Sequence, residues 1–209
     1  MNDFVKIVKS RRSATKFIEG TEIPASDLEE IFSLTKYAPS AFNLQHTHYV
    51  VVTDPAKKDE VYEAAYKQYK VKTASAAILV LGDTKAYEHT ASIYEGMKDL
   101  GILSKQEYDQ MVESTVHFYQ SRGEEFQKEE AIRNASLSAM QLMLIAKDKG
   151  WDTCPMIGYD PEKMAQILDI PERYVPVMLI TIGKADLSSE RPRGYRKPTS
   201  QFVSYNSFS

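Results

Sequence analysis

Two short polar segments near the amino terminus could bind a ligand. The first offers two adjacent guanidinium groups and a hydroxyl group, from Arg11, Arg12 and Ser13. Such a set can hold a phosphate through several charge-assisted hydrogen bonds. The second offers a hydroxyl group and two amides, from Ser40, Asn43 and Gln45. Because the edge of a heteroaromatic ring requires groups of this kind, the two segments together predict a phosphorylated ring cofactor.

The composition limits the classes of protein to consider. With 209 residues, 43% of them hydrophobic, the chain can bury one sizeable core, and we predict a single domain over residues 1–209. A formal net charge of -3 gives no basis for a nucleic-acid or membrane partner. No apolar run reaches the ~20 residues that span a bilayer, and no signal-peptide pattern is present, so we expect a cytoplasmic protein. Cys154 is the single cysteine and the four histidines are scattered, so neither a disulfide nor a metal site is predicted.

Hydrophobic patterning predicts a mixture of helices and strands. Helices are expected over residues 3–10, from an N-cap at Ser26, over residues 60–72 and over residues 129–149. Apolar runs rich in β-branched residues predict three strands, at residues 48–53, 76–82 and 175–184. The first two strands are expected to be buried.

Three further segments bear on assembly. Residues 95–127 are charged and contain Gly101, which predicts a mobile helical excursion. The helix over residues 129–149 is apolar around most of its circumference, which is typical of a central core helix or of a subunit interface. A homodimer follows from the second alternative. The carboxyl-terminal tail, residues 199–209, is rich in aromatic residues and is predicted to pack on the partner subunit.

The whole chain resembles the FMN-dependent nitroreductase family. Four regions carry the resemblance in order and spacing: Arg11-Arg12-Ser13 with Phe17, residues 39–45, residues 150–158 and Arg196-Lys197-Pro198. The resemblance implies an α+β fold with a central, mostly antiparallel sheet flanked by helices, in an intertwined homodimer. It also implies that each FMN lies at the subunit interface and takes groups from both chains.

The resemblance implies roles for particular residues. The phosphate would be bound by Arg11, Arg12, Ser13 and Arg196, with Lys197 either at the phosphate or only solvated. The ribityl chain and ring edge would contact Ser40, Asn43 and Gln45. The flavin face would lie against Pro155, Met156, Ile157 and Gly158, with the Gly158 amide at N5. The pyrimidine edge would face Gln68 and Lys70, although a solvated helix position is the alternative for the lysine.

The activity implied is an oxidoreductase that takes hydride from NADH or NADPH and reduces nitroaromatics, quinones or similar acceptors in a ping-pong cycle. No catalytic side chain is predicted, because flavin N5 carries the chemistry. Phe118 and Tyr119 would line the acceptor pocket or else be core contacts. The sequence departs from the family pattern at Thr15, where many relatives carry Arg or Lys that Lys16 could replace. It departs again at His46-Thr47, where Pro-Trp is usual.

Two other functions remain open at this stage. One is a non-catalytic flavin-binding protein that serves as a reservoir or sensor. The other is a specialised flavin-dependent reductive enzyme, whose closed and polar lid would come from residues 95–127. The rate at which a nicotinamide cofactor reduces the bound flavin separates the first alternative from the reductase.

Overall fold

The computed structural model describes residues 3–208, so that Met1, Asn2 and Ser209 of the predicted domain and tail lie outside the described residues. The α-helices of this part of the chain are α1 (Asp3–Ser10), α2 (Ala25–Thr35), α3 (Pro55–Ala64), α4 (Tyr69–Thr73), α5 (Thr90–Asp99), α6 (Lys105–Asp148) and α7 (Pro161–Ile167). The strands are β1 (Thr47–Val52), β2 (Ala76–Asp83), β3 (Asp152–Met156) and β4 (Tyr174–Gly183). Among the described helices, none combines the length and hydropathy needed to cross a bilayer.

The four strands form one sheet in the order β1-β2-β4-β3, in which every neighbouring pair is antiparallel. This confirms the predicted antiparallel sheet and α+β class. The prediction of two buried strands is confirmed for β2, which is buried along its whole length, whereas most residues of the edge strand β1 are only half-buried. Strand β3 was not predicted. It contains Pro155. Proline has no backbone N–H to donate, and an edge strand tolerates this because one side of it has no partner strand.

The alternating side chains of β2 supply the core on both faces of the sheet. Ile78 and Val80 pack against α6 in one cluster, while Leu79 and Leu81 pack in a second cluster with residues of α3, α4 and α7. Successive side chains of a strand point to opposite faces, so a central strand covered on both sides reads as one apolar run.

Helix α6 lies directly on the sheet because its facing residues are small. Ala131, Ala135 and Ala139 are buried on that face. A Cβ added to Gly82 of β2 would lie 2.8 Å from the backbone carbon of Ala131, closer than two such atoms can approach. The glycine therefore sets the distance between helix and sheet.

The observed helix boundaries correct two predictions. Helix α2 begins after Pro24 and not at Ser26, whose hydroxyl instead contacts Asp27. The helix predicted over residues 60–72 is two helices, α3 and α4, because Tyr66 and Lys67 each adopt a φ of 53° and end the first one. Residues 95–127 are helical with a break at Gly101, as the sequence indicated, and this glycine, with a φ of 70°, separates α5 from α6.

Helix α6 is 44 residues long and joins the second half of the predicted excursion to the predicted helix 129–149. A single break occurs at Gly123, whose φ of 77° and ψ of 178° are not helical. The prediction that residues 129–149 are buried on nearly all sides is wrong for the protomer. One apolar face remains open, where Leu137 is 48% exposed and Met140 is 43% exposed.

A small aromatic cluster lies beneath the chain that leads into β1. It contains Leu44, Tyr87 and Tyr119, all buried, with the Tyr87 and Tyr119 rings stacked at 5.5 Å. His46 is 2% exposed and its Nε2 lies 3.5 Å from the Tyr119 hydroxyl. Burial lowers the pKa of His46 to about 4, although the nearby charge of Asp83 opposes this. His46 is a packing residue, as the sequence favoured.

Since the folded state holds His46 neutral, we expect the protein to lose stability as the pH falls from 6.5 toward 4, where only the unfolded chain takes up the proton. Above that window the residue adds no pH dependence. Between about pH 7.5 and about pH 4.5, His46→Gln should reduce the loss in free energy of unfolding by on the order of 2 kcal/mol, measured by chemical denaturation. The exposed His117→Gln is the matched control and should behave as the wild type; equal losses in all three proteins would contradict the prediction.

Candidate functional site

The amino-terminal segment and the carboxyl-terminal segment meet beside the edge strand β3. Ser13 forms an isolated parallel bridge with Thr153, and the Ala14 amide donates to the Thr153 carbonyl at 3.0 Å. The Arg193 guanidinium donates to the carbonyl oxygens of Lys9, at 2.5 Å, and Arg11, at 3.1 Å. These contacts place Arg193 next to the first of the predicted phosphate-binding arginines.

The electrostatics around Arg11 are unfavourable in the protein alone. Its Nη1 is buried and has no hydrogen-bond partner within residues 3–208. Burial, together with the positive charges of Arg193 and Arg196, lowers the pKa of the Arg11 guanidinium. A buried cation among like charges costs free energy unless an anion compensates it. The cluster Arg11, Arg193 and Arg196, which we call the arginine cluster, therefore fits an anionic group.

Other predicted phosphate contacts are placed differently. The Arg12 guanidinium pairs with Glu190 at 2.5 Å and also donates to the Arg191 carbonyl. It therefore has polar partners in the protein alone, and its predicted contact with the phosphate stays a prediction. Ser13 is exposed beside the cluster. Arg196 contacts only carbonyl oxygens of its own segment, and Lys197 is exposed.

The predicted ring-face residues lie at the end of β3, which includes Pro155 and Met156, and directly after it. Pro155 is half-buried and Met156 buried, whereas Ile157 is 83% exposed. The Gln68 amide donates to the Gly158 carbonyl at 2.5 Å. A Cβ on Gly158 would lie 2.8 Å from Gln68 Nε2, so a larger residue would displace the end of this flexible side chain.

Gln68 reaches Gly158 because of the turn before α4. It is the N-cap residue of that helix, directly after the two residues with positive φ that end α3. Lys70, in the first turn of α4, is half-buried. The structure therefore brings Gln68 together with Gly158, while Lys70 lies two residues further along the chain.

The loop before β1 has an unusual backbone. Phe42, Asn43 and Gln45 have φ values of 52°, 55° and 50°, a region that side chains other than glycine seldom adopt. The Ser40 hydroxyl accepts a hydrogen bond from the Gln45 amide at 3.0 Å. Ser40 is half-buried, while Asn43 and Gln45 are exposed. The Gln45 side-chain amide donates to the Asn43 carbonyl at 3.2 Å, so this exposed side chain already has a partner within the loop.

The loop and the arginine cluster lie at opposite edges of the sheet. The loop leads into β1, and the arginine cluster adjoins β3, with β2 and β4 between them. Three inter-strand spacings of ~4.8 Å separate these edges by about 14 Å. Helices cover both faces of the intervening sheet. Within one chain, the two groups of predicted ligand contacts are consequently not assembled into one site.

The two predicted substrate-lining residues have different positions. Phe118 is half-buried, its ring lies 5.3 Å from that of Phe42, and the Arg122 guanidinium lies 4.2 Å above it. It therefore adjoins the loop before β1. Tyr119 is 1% exposed within the aromatic cluster, so it is a core contact and cannot line a pocket in this arrangement.

The departures from the family pattern have local explanations. The Thr15 hydroxyl contacts Ser189 at 3.2 Å, and Lys16 lies 3.6 Å from the carboxylate of Asp186. Lys16 thus has an acidic partner at this edge. No group of three or more His, Cys, Asp or Glu side chains that could hold a metal occurs in the described part of the chain.

Sequence reasoning missed two residues that the structure places at these positions. Arg193 completes the arginine cluster, and its signal was the density of arginines at residues 191, 193 and 196. Asn134 is buried in α6 and its side chain accepts a hydrogen bond from the Ala41 amide at 2.8 Å. The sequence feature that could have indicated it was an amide side chain within the predicted helix of residues 129–149.

Comparison with known proteins places this arrangement in a family. The model of the nitroreductase family matches residues 8–184. MhqN of Bacillus subtilis (strain 168), which is named as an NAD(P)H nitroreductase, is 58% identical over 205 residues, which are 98% of this chain and 100% of that protein. An enone reductase of CLA biosynthesis from Lactiplantibacillus plantarum is 34% identical over 88% of this chain and 86% of its own.

Solved structures agree in sequence and in fold. The B. subtilis nitroreductase ydfN superposes with a TM-score of 0.95 at 57% identity and covers 97% of this chain and 98% of its own. A nitroreductase of Exiguobacterium sibiricum, solved in complex with FMN, superposes with a TM-score of 0.89 at 30% identity, over 98% of both chains. The family match spans most of the chain, and the fold agrees with it throughout. The protein belongs to the nitroreductase family.

Proposed function

We propose that this protein is an FMN-dependent oxidoreductase that takes hydride from NADH or NADPH and reduces nitroaromatics, quinones or similar acceptors by a ping-pong mechanism. The names of its relatives as NAD(P)H nitroreductases support the donor, and the FMN complex of a neighbour supports the cofactor. When bound, FMN would supply the hydride chemistry. The sequence contains no Gly-x-Gly-x-x-Gly fingerprint, which favours a nicotinamide that binds only transiently.

The observation that supports this proposal most is the arginine cluster. Arg193 and Arg196 lie near enough for their charges to lower the pKa of Arg11, and the buried Nη1 of Arg11 has no hydrogen-bond partner in residues 3–208. A phosphate monoester carries about -1.5 to -2 charge at pH 7 and offers three strong acceptor oxygens. It would satisfy the orphaned donor and offset the repulsion between the three cations. Arg11, Arg193 and Arg196 are the proposed phosphate ligands, with the exposed hydroxyl of Ser13 beside them.

The residues beside β3 would position the ring. The absence of a side chain at Gly158 lets the backbone approach the flavin closely, and Gln68 fixes the orientation of that backbone. The predicted contacts of Pro155, Met156 and Ile157 with the flavin face remain proposals, as does a place for Lys70 and Lys197 near the cofactor. In this scheme the protein binds the flavin, orients its ring and excludes water from it.

A homodimer would complete the site. Since the loop with Ser40, Asn43 and Gln45 lies at the far edge of the sheet, the loop of a second copy would have to supply those contacts. The open apolar face of α6 offers a surface for that copy, and Phe4, Leu34 and Tyr37 extend it as an apolar groove. A patch of this kind is typical of an interface between proteins.

The carboxyl-terminal segment supports the same assembly. Every described residue from 191 onward is exposed, although the segment includes Tyr195, Phe202 and Tyr205. Aromatic residues contribute most when they are buried, so we propose that this arm packs on the partner subunit. The single domain and the cytoplasmic location remain predictions from the sequence.

The first test is an absorption spectrum of the purified protein, followed by NADH or NADPH without oxygen. We expect a flavin spectrum that bleaches within seconds and returns when a quinone or nitroaromatic is added. The donor that bleaches faster at equal concentration is the physiological class. A bound flavin that neither donor reduces would favour the reservoir or sensor. A protein that does not bind added FMN would overturn the proposal.

Replacing Arg11 tests the phosphate site. Arg11→Gln should weaken FMN binding roughly tenfold or more, since a hydrogen bond to a charged group contributes about 1.5–3 kcal/mol. Because the substitution also removes a buried charge from a cationic cluster, the melting temperature of the apoprotein should not fall. The dissociation constants of FMN and of riboflavin, which lacks the phosphate, are measured by flavin fluorescence.

Arg12→Gln is the matched control, since Arg12 is adjacent in sequence but paired with Glu190. It should change the FMN dissociation constant less than about threefold and lower stability by up to about 1 kcal/mol. Riboflavin binding should be nearly the same in the wild type and both variants. If both variants lost FMN affinity equally, local positive charge, and not the arginine cluster, would account for cofactor binding.

Phe118 is proposed to line the acceptor pocket. Phe118→Ala should change the ratio of kcat/KM values between a bulky quinone and a small nitroaromatic by roughly tenfold, which is about 1.4 kcal/mol, and leave the flavin content unchanged. Leu100→Ala, in the exposed turn after α5, is the control and should leave the ratio as it is. An unchanged ratio in Phe118→Ala would place this ring in the core and not in the pocket.

A further inference from the structure

The loop of residues 40–45 needs external support to keep its conformation. Three of its residues have positive φ, and none of them is glycine. Backbone of this kind costs free energy and persists only where the surrounding structure fixes it. The loop's own hydrogen bonds, from the Asn43 amide to Ser40 and from the Leu44 amide to Ala41, close the turn on itself but do not attach it to the rest of the chain.

Two buried side chains attach the loop to neighbouring helices. The Ala41 amide donates to Asn134 Oδ1 at 2.8 Å, and the Tyr94 hydroxyl donates to the Phe42 carbonyl at 2.9 Å. Asn134 is 3% exposed, on the face of α6 that contacts the sheet. The bond from Ala41 comes directly before the first strained residue. It therefore acts where the chain enters the turn.

The orientation of the Asn134 amide is itself fixed. Its Nδ2 donates to the Glu130 carbonyl at 2.7 Å and lies 3.3 Å from the Glu130 carboxylate, so only Oδ1 faces the loop. Glu130 is buried, pairs with Arg133 and accepts a hydrogen bond from the Tyr119 hydroxyl at 3.4 Å. Networks of buried polar groups hold their members rigidly when all are satisfied.

We infer that Asn134, held by Glu130, is a positioning residue that fixes the loop of residues 40–45 in the strained form that presents Asn43 and Gln45 to the cofactor. In this role Asn134 acts through the loop and not by contact with cofactor or substrate. The inference rests on the proposed function, because the loop matters only if it contacts the flavin. It gives a reason for a buried amide on a helix face that also carries Ala131, Ala135 and Ala139.

Asn134→Leu removes the acceptor and keeps a similar volume. We expect the FMN dissociation constant to rise roughly tenfold. In the apoprotein, amide hydrogen exchange of the peptide that contains Ala41 should speed up by a similar factor, while exchange in residues 135–146 of α6 stays as in the wild type. The exchange measurement does not depend on FMN, so it tests the loop contact even if the proposed function fails.

A rescue pair tests the link to Glu130. Asn134→Asp keeps an acceptor for Ala41 but places two carboxylates together, and it should weaken FMN binding. Adding Glu130→Gln supplies an amide donor to the new carboxylate and should recover part of the affinity. A general loss of packing would not be reversed by this second substitution.

Ser138→Ala is the matched control, one turn along the same buried face, where the hydroxyl contacts Tyr49 and not the loop. It should lower the melting temperature and leave both FMN affinity and Ala41 exchange unchanged. Wild-type affinity and exchange in Asn134→Leu would overturn the inference. Failure of the wild-type protein to bind FMN would instead overturn the proposed function.

Discussion

The close approach of α6 to the sheet is the constraint on which the rest of the structure depends. The helix can lie on β2 because Gly82 has no side chain and because alanines line the facing surface of the helix. Once the helix is there, its buried side reaches the loop before β1 through Asn134, and its opposite side presents Leu137 and Met140 outward. Different faces of α6 thus pack in the core, hold the loop before β1 and form the exposed apolar surface.

The second organising feature is unbalanced charge. Many surface charges pair with an opposite charge, as in Arg12 with Glu190 and Lys16 with Asp186, whereas the arginine cluster has no acidic partner in the described chain. Folding therefore brings together cations that repel one another. Such an arrangement is stable only because the net repulsion between partly solvated groups is modest, and it leaves binding energy available for an anion.

Much of the architecture could be predicted from the sequence, because it depends on the spacing of apolar residues and on short motifs. The apolar run of β2 and the motifs at residues 11–13, 39–45 and 150–158 were sufficient for the sheet and the family. Individual orientations could not be predicted. Arg11 and Arg12 are identical side chains in sequence, and only Glu190, distant along the chain, decides which one remains unpaired. Likewise, Tyr66 and Lys67 end α3 without glycine or asparagine to signal a positive φ.

The break at Gly123 divides α6 into two segments that side chains join again. A non-helical residue interrupts the regular ladder of hydrogen bonds, but Gln127 donates to the Tyr119 carbonyl and the Tyr119 hydroxyl donates to Glu130 across the break. Phe118 lies before the break, while Asn134 and the alanines that contact the sheet lie after it. Side-chain contacts, and not the backbone ladder alone, therefore set the direction of the first segment of α6 and with it the position of Phe118.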